Sequence, residues 1–407
     1  MLLLFLVVLG IYLATASYTI NQVNDTRVTA ISAWSLGTRG TLALPEAWPD
    51  GVERMEVEGV DGRTYTDRFP GAILWGAPFY GVYELVDPRP EPRHPWLLNY
   101  APAGVAAATA AALGVAVCFA VYRRLVGRRL ALAAAGILAF GTGTWSVSGD
   151  ALWTHSVSHL ALAVGMLGMS SRRYATGGLG FAAAVLARPQ LAVVPAVVGI
   201  WEGIRRRSLR PVIVVGFISA AGLGAVSVYS QVLFGTWLPV AGYDPGKVEA
   251  VATTGGTVFA ERILNAMAHP QRGLFLYAPL LFLLLPGLVR AWGNAPTWVR
   301  SAAVAGLFYL LVQLRSNVWH GGSDFFGSRL TLEMLVLASP LFVIAYQRFV
   351  APVRPFKIAF FLLALISVLM HGVGATVMET GLHGADGVEI WQYNLTWLCE
   401  EHPEYCE

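Results

Sequence analysis

Charge is scarce in this sequence, and the scarcity excludes most soluble folds. Only 13% of its 407 residues are charged, against 56% that are hydrophobic. A water-soluble domain carries about twice that charged fraction. Lysine is nearly absent: Lys247 and Lys357 apart, every basic position is an arginine. Cysteine is limited to Cys118, Cys399 and Cys406, with no Cys/His spacing suited to zinc. Neither a P-loop nor a Gly-x-Ser-x-Gly elbow is present, which removes two common signatures of hydrolytic chemistry. No internal repeat is visible, in contrast to transporters built from inverted repeats. Nothing in the composition calls for a nucleic-acid partner.

What the sequence does have is long uncharged runs. Several extend for about 18 residues or more, the length that crosses a hydrocarbon core as a helix. The first, from Met1 to Tyr18, lacks the basic start of a secretory signal, although Ala14-Thr15-Ala16 resembles a cleavage site; it reads as a retained span. Basic clusters mark cytoplasmic turns. They lie at Arg123, Arg124, Arg128 and Arg129, at Arg172 and Arg173, at Arg205 to Arg207 with Arg210, and at Arg348, Arg354 and Lys357. Their alternation places the N-terminus in the cytoplasm. It also requires two short passes between Arg173 and Arg205, turning near Arg188-Pro189-Gln190. The expectation is an all-α membrane protein with about eleven crossings, between nine and thirteen. Other spans are expected over 98–122, 130–147, 155–168, 211–234, 274–289, 299–314, 330–346 and 358–377.

On this reading residues 1–378 form one membrane module and 379–407 a short external tail. The polar segments 19–97, 235–271 and 317–328 all fall outside, which points to a binding or catalytic surface on the external face of the plasma (inner) membrane. Within the first loop, Val57 to Tyr65 reads as a hairpin with an Asp-Gly turn. The apolar stretch from Arg68 to Tyr80 is too short to span and suits an interfacial helix. Cys399 and Cys406 are candidates for a disulfide in the tail, whereas Cys118 lies within a span as packing.

Candidate chemistry gathers on the outer side. Asp25, in Asn24-Asp25-Thr26-Arg27, directly follows the first span, where a carboxylate can serve as general base toward a hydroxyl or merely cap a helix. Arg27, Arg68, Arg188, Arg272, Arg315 and Arg329 are conspicuous there, because the positive-inside rule disfavours them. Arginine suits a phosphate through its planar, two-pronged donor geometry, although any one of them can equally pair with an external carboxylate. Arg188 and Arg329 stand at sharp turns between spans and are the favoured pair. His155, His159 and His320 are possible acids, bases or ligands, or structural residues at helix ends.

An ordered series of short motifs resembles the GT-C membrane glycosyltransferases along nearly the whole chain. It runs through Asn24-Asp25, Arg68-Phe69-Pro70-Gly71, Leu152-Trp153-Thr154-His155, Ala187-Arg188-Pro189-Gln190, and Leu233 to Trp237 with Gly242-Tyr243. It ends with Arg272 to Pro279 and Trp319-His320-Gly321-Gly322-Ser323-Asp324-Phe325-Phe326-Gly327-Ser328-Arg329. The resemblance implies transfer of a sugar, arabinofuranose or mannose, from a polyprenyl-phosphate donor to an external glycan, lipid or protein acceptor. It implies Asp25 as base, with inversion, and Arg68, Arg188, Arg272 and Arg329 on the donor phosphate. Asn24, Arg27, His155, Tyr243, Trp319, His320 and Asp324 would line the substrate site, and the interfacial helix with adjoining spans would hold the prenyl chain. The first loop has no paired carboxylates of the kind some family members use for metal, so a divalent metal stays an open possibility. The competing reading is a transporter or flippase for a lipid-linked or small anionic substrate, which calls for ionisable residues within the spans.

Overall fold

An apolar run in a bilayer must satisfy its own backbone polar groups, so it folds as helix, and helix dominates the computed structural model of the chain. The structure describes residues 1–18, 24–45, 55–92, 97–243, 254–270, 272–322 and 325–376. Its first helices are α1 (Leu2–Thr15), α2 (Asn24–Trp34), α3 (Pro70–Val86), α4 (Ala101–Tyr122) and α5 (Arg128–Phe140). There follow α6 (Thr154–Ser170), α7 (Tyr174–Ala187), α8 (Val193–Arg206), α9 (Arg210–Phe234) and α10 (Gly256–Ala268). The last are α11 (Leu280–Asn294), α12 (Thr297–Ser316), α13 (Leu332–Ala345) and α14 (Arg354–Thr376).

Among the described residues, five helical segments are long and apolar enough to cross a membrane: α4, α9, α12, the stretch Arg329–Val350 that contains α13, and α14. The shorter helices α1, α7 and α11 are also apolar. The chain is thus a multi-pass membrane protein, with five of the eleven expected crossings supported by length and composition. Where two short passes were expected, the chain forms the helices α7 and α8, joined by a tight 3-10 turn at Pro189–Ala192. Proline breaks the span expected over 274–289: the helix stops at Tyr277 and resumes at Leu280 after Ala278-Pro279, because proline lacks the N–H a continuous helix needs.

The bundle is knit by α6 against α4 and α7, α7 against α9, α8 against α9 and α12, and α12 against α13. Tyr122, Leu162, Met166, Phe181, Tyr309 and Leu337 are fully buried in its core. The segment Arg329–Val350 is central, 83% of its apolar window being buried, whereas α9 is peripheral at 22%.

The first long loop carries a core of its own. Val28, Ile31 and Trp34 of α2 pack with Tyr80 of α3, Tyr100, Ala103 and Leu152. The expected hairpin is there, with Glu56–Glu58 antiparallel to Thr64–Thr66 and Val57 opposite Tyr65. The apolar helix expected near Arg68 is α3, fastened to α4 by a hydrogen bond from Trp75 Nε1 to the Ala106 carbonyl (2.9 Å). Its first turn is pressed onto the end of α7, where a Cβ on Gly71 would meet the Ala187 nitrogen at 2.4 Å. That contact sets Arg68 beside Arg188.

Candidate functional site

Six chain segments deliver polar side chains to one cavity of about 430 Å³. Asp25 comes from the first turn of α2, Arg68 from the residues preceding α3, and Trp153, Thr154 and His155 from the start of α6. Arg188 comes from the α7–α8 turn, Tyr243 from beyond α9, and Gln313, Asn317 and Arg329 from the end of α12 and the segment after it. Ala192, Leu223, Leu238, Pro239 and Val240 give the same cavity an apolar wall.

Asp25 lies at the centre of the charge pattern. Its Oδ1 accepts from Arg68 Nη2 at 2.8 Å and its Oδ2 from Arg329 Nη1 at 2.9 Å. Burial works against the ionised carboxylate, but the positive fields of Arg329 and Arg68 override it and hold the Asp25 carboxyl well below the usual range. Its side chain nonetheless keeps 27% of its surface, so the carboxylate is reachable from the cavity.

The two arginines that clasp it are supported differently. Arg68 has a second carboxylate, Asp67, with Nε to Oδ1 at 3.1 Å, and also donates to the Tyr243 hydroxyl. The Tyr243 phenol is buried, which raises its pKa above the ordinary value although Arg68 lowers it. Arg329 lies against two aromatic rings set edge to face, its guanidinium carbon 4.6 Å from the Trp153 centroid and 4.8 Å from that of Phe325. Gly321 and Gly322, at φ of 78° and 107°, make room for it. A Cβ on Gly321 would meet Arg329 Nε at 3.1 Å.

Arg188 does not touch Asp25 among the contacts of the described residues. Its Nη1 donates to Thr154 Oγ1 (3.1 Å) and to His155 Nε2 (2.9 Å), and its Nη2 to Gln313 Oε1 (3.0 Å). Behind it stands Glu333, buried in the first turn of α13, which accepts from His155 Nδ1 at 2.8 Å and from Ser158 Oγ at 2.8 Å. Only the His155 tautomer protonated on Nδ1 satisfies both partners: it donates to Glu333 and leaves Nε2 as acceptor for Arg188. His155 is therefore engaged as a spacer between Glu333 and Arg188.

Of the residues expected at the site, Asp25, Arg68, Arg188, Arg329, His155 and Tyr243 line the cavity together. The others stand elsewhere. Arg27 is buried within α2, outside the lining. Arg272 is outside the lining; it stands over the Phe325 ring at 4.7 Å and donates to the Gly322 carbonyl. Trp319 stacks near His269 (4.3 Å), and His320 Nδ1 faces the Gly322 backbone (3.2 Å). α3 contributes no residue to the lining, although Phe69 just before it does. Asp324, Cys399, Cys406 and the Asn24 side chain lie outside the described residues. Among the described residues, no group of three or more His, Cys, Asp or Glu is placed to hold a metal ion.

Glu333, Gln313 and Asn317 went unanticipated. For Glu333 the signal was available: one carboxylate stands in the apolar run Leu330-Thr331-Leu332-Glu333-Met334-Leu335, and an ionisable residue inside a span is a functional candidate by default.

Fold and site together define a multi-pass membrane protein with a cavity lined by Asp25 and three arginines. Neither a protein-family model nor a curated protein matches the sequence. Solved structures do match by shape. The Archaeoglobus fulgidus oligosaccharyltransferase, tethered by a disulfide to an acceptor peptide containing the NVT sequon, superposes with a TM-score of 0.54 at 13% identity, over 99% of this chain. The same enzyme in its apo form gives 0.52 at 12% identity, over 98%. The chain spans 57% and 58% of the lengths of those two solved chains. The likeness shows that the chain resembles the GT-C fold.

Proposed function

We propose that this protein is a membrane glycosyltransferase that moves a sugar from a polyprenyl-phosphate donor to an acceptor hydroxyl on the external face of the membrane. The observation that carries the reading is the convergence of Asp25, Arg68, Arg188 and Arg329 on one cavity that also has an apolar wall. A lipid-linked phosphosugar needs both halves: cations for the phosphate and apolar surface for the first isoprene units. The arginines bind the phosphate and neutralise the charge that grows on it as the sugar leaves. Ala192, Leu223 and Val240 receive the lipid end, with α9, the least buried of the five long apolar helices, alongside. The uncharged donors and acceptors Gln190, Ser316 and Asn317 suit sugar hydroxyls. Asp25 takes the proton from the acceptor hydroxyl, and attack from the face opposite the phosphate inverts the anomeric centre. Arabinofuranose and mannose are the donors to try first.

The test is sugar transfer in membranes containing wild-type protein or Asp25→Asn, with radiolabelled polyprenyl-phosphate arabinose and mannose supplied in parallel. Loss of a general base lowers the rate by about 10²–10⁴-fold, so the variant is expected to fall to background at matched protein levels. Equal transfer by both proteins removes Asp25 from the mechanism. Transport of the intact lipid without transfer supports the flippase reading instead.

A further inference from the structure

We infer that Arg329 is a counterion shared in time: it masks Asp25 in the resting protein and passes to the donor phosphate when the donor binds. Asp25 is then released as a base only in the donor complex. The inference rests on the proposed function and adds a control of the base by the donor.

The geometry behind it is an asymmetry between the two arginines on Asp25. If Asp25 is withdrawn, Arg68 retains Asp67 at 3.1 Å and the Tyr243 hydroxyl. Arg329 retains no carboxylate, because Asp25 at 2.9 Å is its one ion-pair partner among the described residues. Its Nε, like those of Arg68 and Arg188, is buried without a hydrogen-bond partner there, so the carboxylate count and not the free Nε separates Arg329 from Arg68. The rings of Trp153 and Phe325 beside the guanidinium accept a cation but fix no direction in their plane. Arg329 is thus a confined cation with spare donors, on the surface of a cavity where an anion is expected. Arg188, with Thr154, His155 and Gln313 already accepting from it, is the more saturated of the two.

The charge changes during transfer fit such an exchange. The acceptor O–H proton goes to the Asp25 carboxylate, and the acceptor oxygen forms the new bond to the anomeric carbon. The bond from that carbon to the phosphate oxygen breaks, its electron pair staying on the phosphate. Before the step Asp25 and the phosphodiester carry one negative charge each; afterwards the phosphomonoester carries two and protonated Asp25 none. Negative charge therefore moves from Asp25 to the phosphate, and an arginine that moves the same way remains paired throughout. In the resting protein the same arginine keeps Asp25 a poor base, which guards against deprotonating an acceptor with no donor in place.

A competitor for the arginine must weaken phosphate binding, so the inference has a counter-intuitive consequence: removing the catalytic carboxylate tightens the donor site. Farnesyl phosphate titrated calorimetrically into the purified full chain in detergent is expected to bind Asp25→Asn about tenfold more tightly than wild type, the factor for freeing one charge-assisted hydrogen bond. In the Arg329→Gln background the same substitution is expected to give a clearly smaller gain, the part due to Asp25's own charge and its pairing with Arg68. Thermal melts without lipid check folding, and Asp25→Ala replaces the amide variant if yield falls. Affinity equal to or weaker than wild type in Asp25→Asn overturns the inference, as does a gain that persists undiminished without Arg329. Failure of wild type to bind farnesyl phosphate at all is a different result, which overturns the proposed function beneath it.

Discussion

Glu333 raises the question of why a carboxylate stands inside a membrane bundle. Its side chain is 1% exposed, and its Oε1 accepts hydrogen bonds from His155 and Ser158 while lying 3.7 Å from Arg188 Nε. A buried arginine without a counter-charge is costly, so Glu333 secures the charge and the orientation of Arg188 through His155. Glu333→Leu strips that compensation and is expected to destabilise the protein by about 3–5 kcal/mol, the usual cost of breaking a buried ion pair. Glu333→Gln keeps an oxygen to accept both hydrogen bonds and is expected to cost less than half as much. Thermal unfolding in detergent separates the two; equal losses would mean that fit, not charge, is what Glu333 provides. At this scale the sequence was a partial guide. The arginines expected on the outer face stood out because they break the charge rule, and Asp25 stood out by following an apolar run. The partners that hold them, Glu333 and Gln313, sit in apolar runs whose overall hydropathy hides one polar residue.

Elements position these residues through a few close contacts, and the start of α3 is the clearest. Gly71 lies so near α7 that an added Cβ would meet the Ala187 nitrogen at 2.4 Å and its Cα at 2.5 Å, both backbone atoms with no freedom to yield. Gly71→Val therefore has to push α3 off the end of α7 and carry Arg68 away from Asp25. Overpacking of this kind costs about 1–3 kcal/mol, and donor KM is expected to rise while the protein still reaches the membrane. Gly10→Val is the control, since a Cβ there meets nothing within 4 Å. An unchanged donor KM in Gly71→Val would show that the α3–α7 contact does not set Arg68. Long apolar helices such as α4, α9 and α14 were legible to within a few residues, because length and hydropathy suffice for them. α2 and α10 were not. α2 buries Thr26, Arg27, Thr29 and Ser32 beside its apolar residues, so its sequence carries no apolar stripe, and tertiary contacts create the helix.

Across the whole molecule, the turns divide into two sets by chain order. Arg123 to Arg129, Arg172-Arg173, Arg205 to Arg210 and Arg348 to Lys357 occupy the turns between α4 and α5, α6 and α7, α8 and α9, and α13 and α14. The cavity draws on the others: the entries to α2, α3 and α6, the α7–α8 turn, the exit of α9 and the α12–α13 segment. Basic clusters are as a rule retained on the cytoplasmic side, so on the proposed orientation the cavity opens on the opposite side, facing a donor in the outer leaflet. This separation was readable before any coordinates, since it depends on the order of charges and not on their contacts. It also has a direct check. Ser208, exposed between α8 and α9, and Thr64, exposed in the hairpin, are each changed to cysteine in a background with Cys118, Cys399 and Cys406 replaced by serine. In intact cells a membrane-impermeant maleimide is expected to label Thr64→Cys and to spare Ser208→Cys until the membrane is opened. The reverse pattern would place the cavity in the cytoplasm. The donor would then have to be met in the inner leaflet, and the basic clusters would be serving something other than topology.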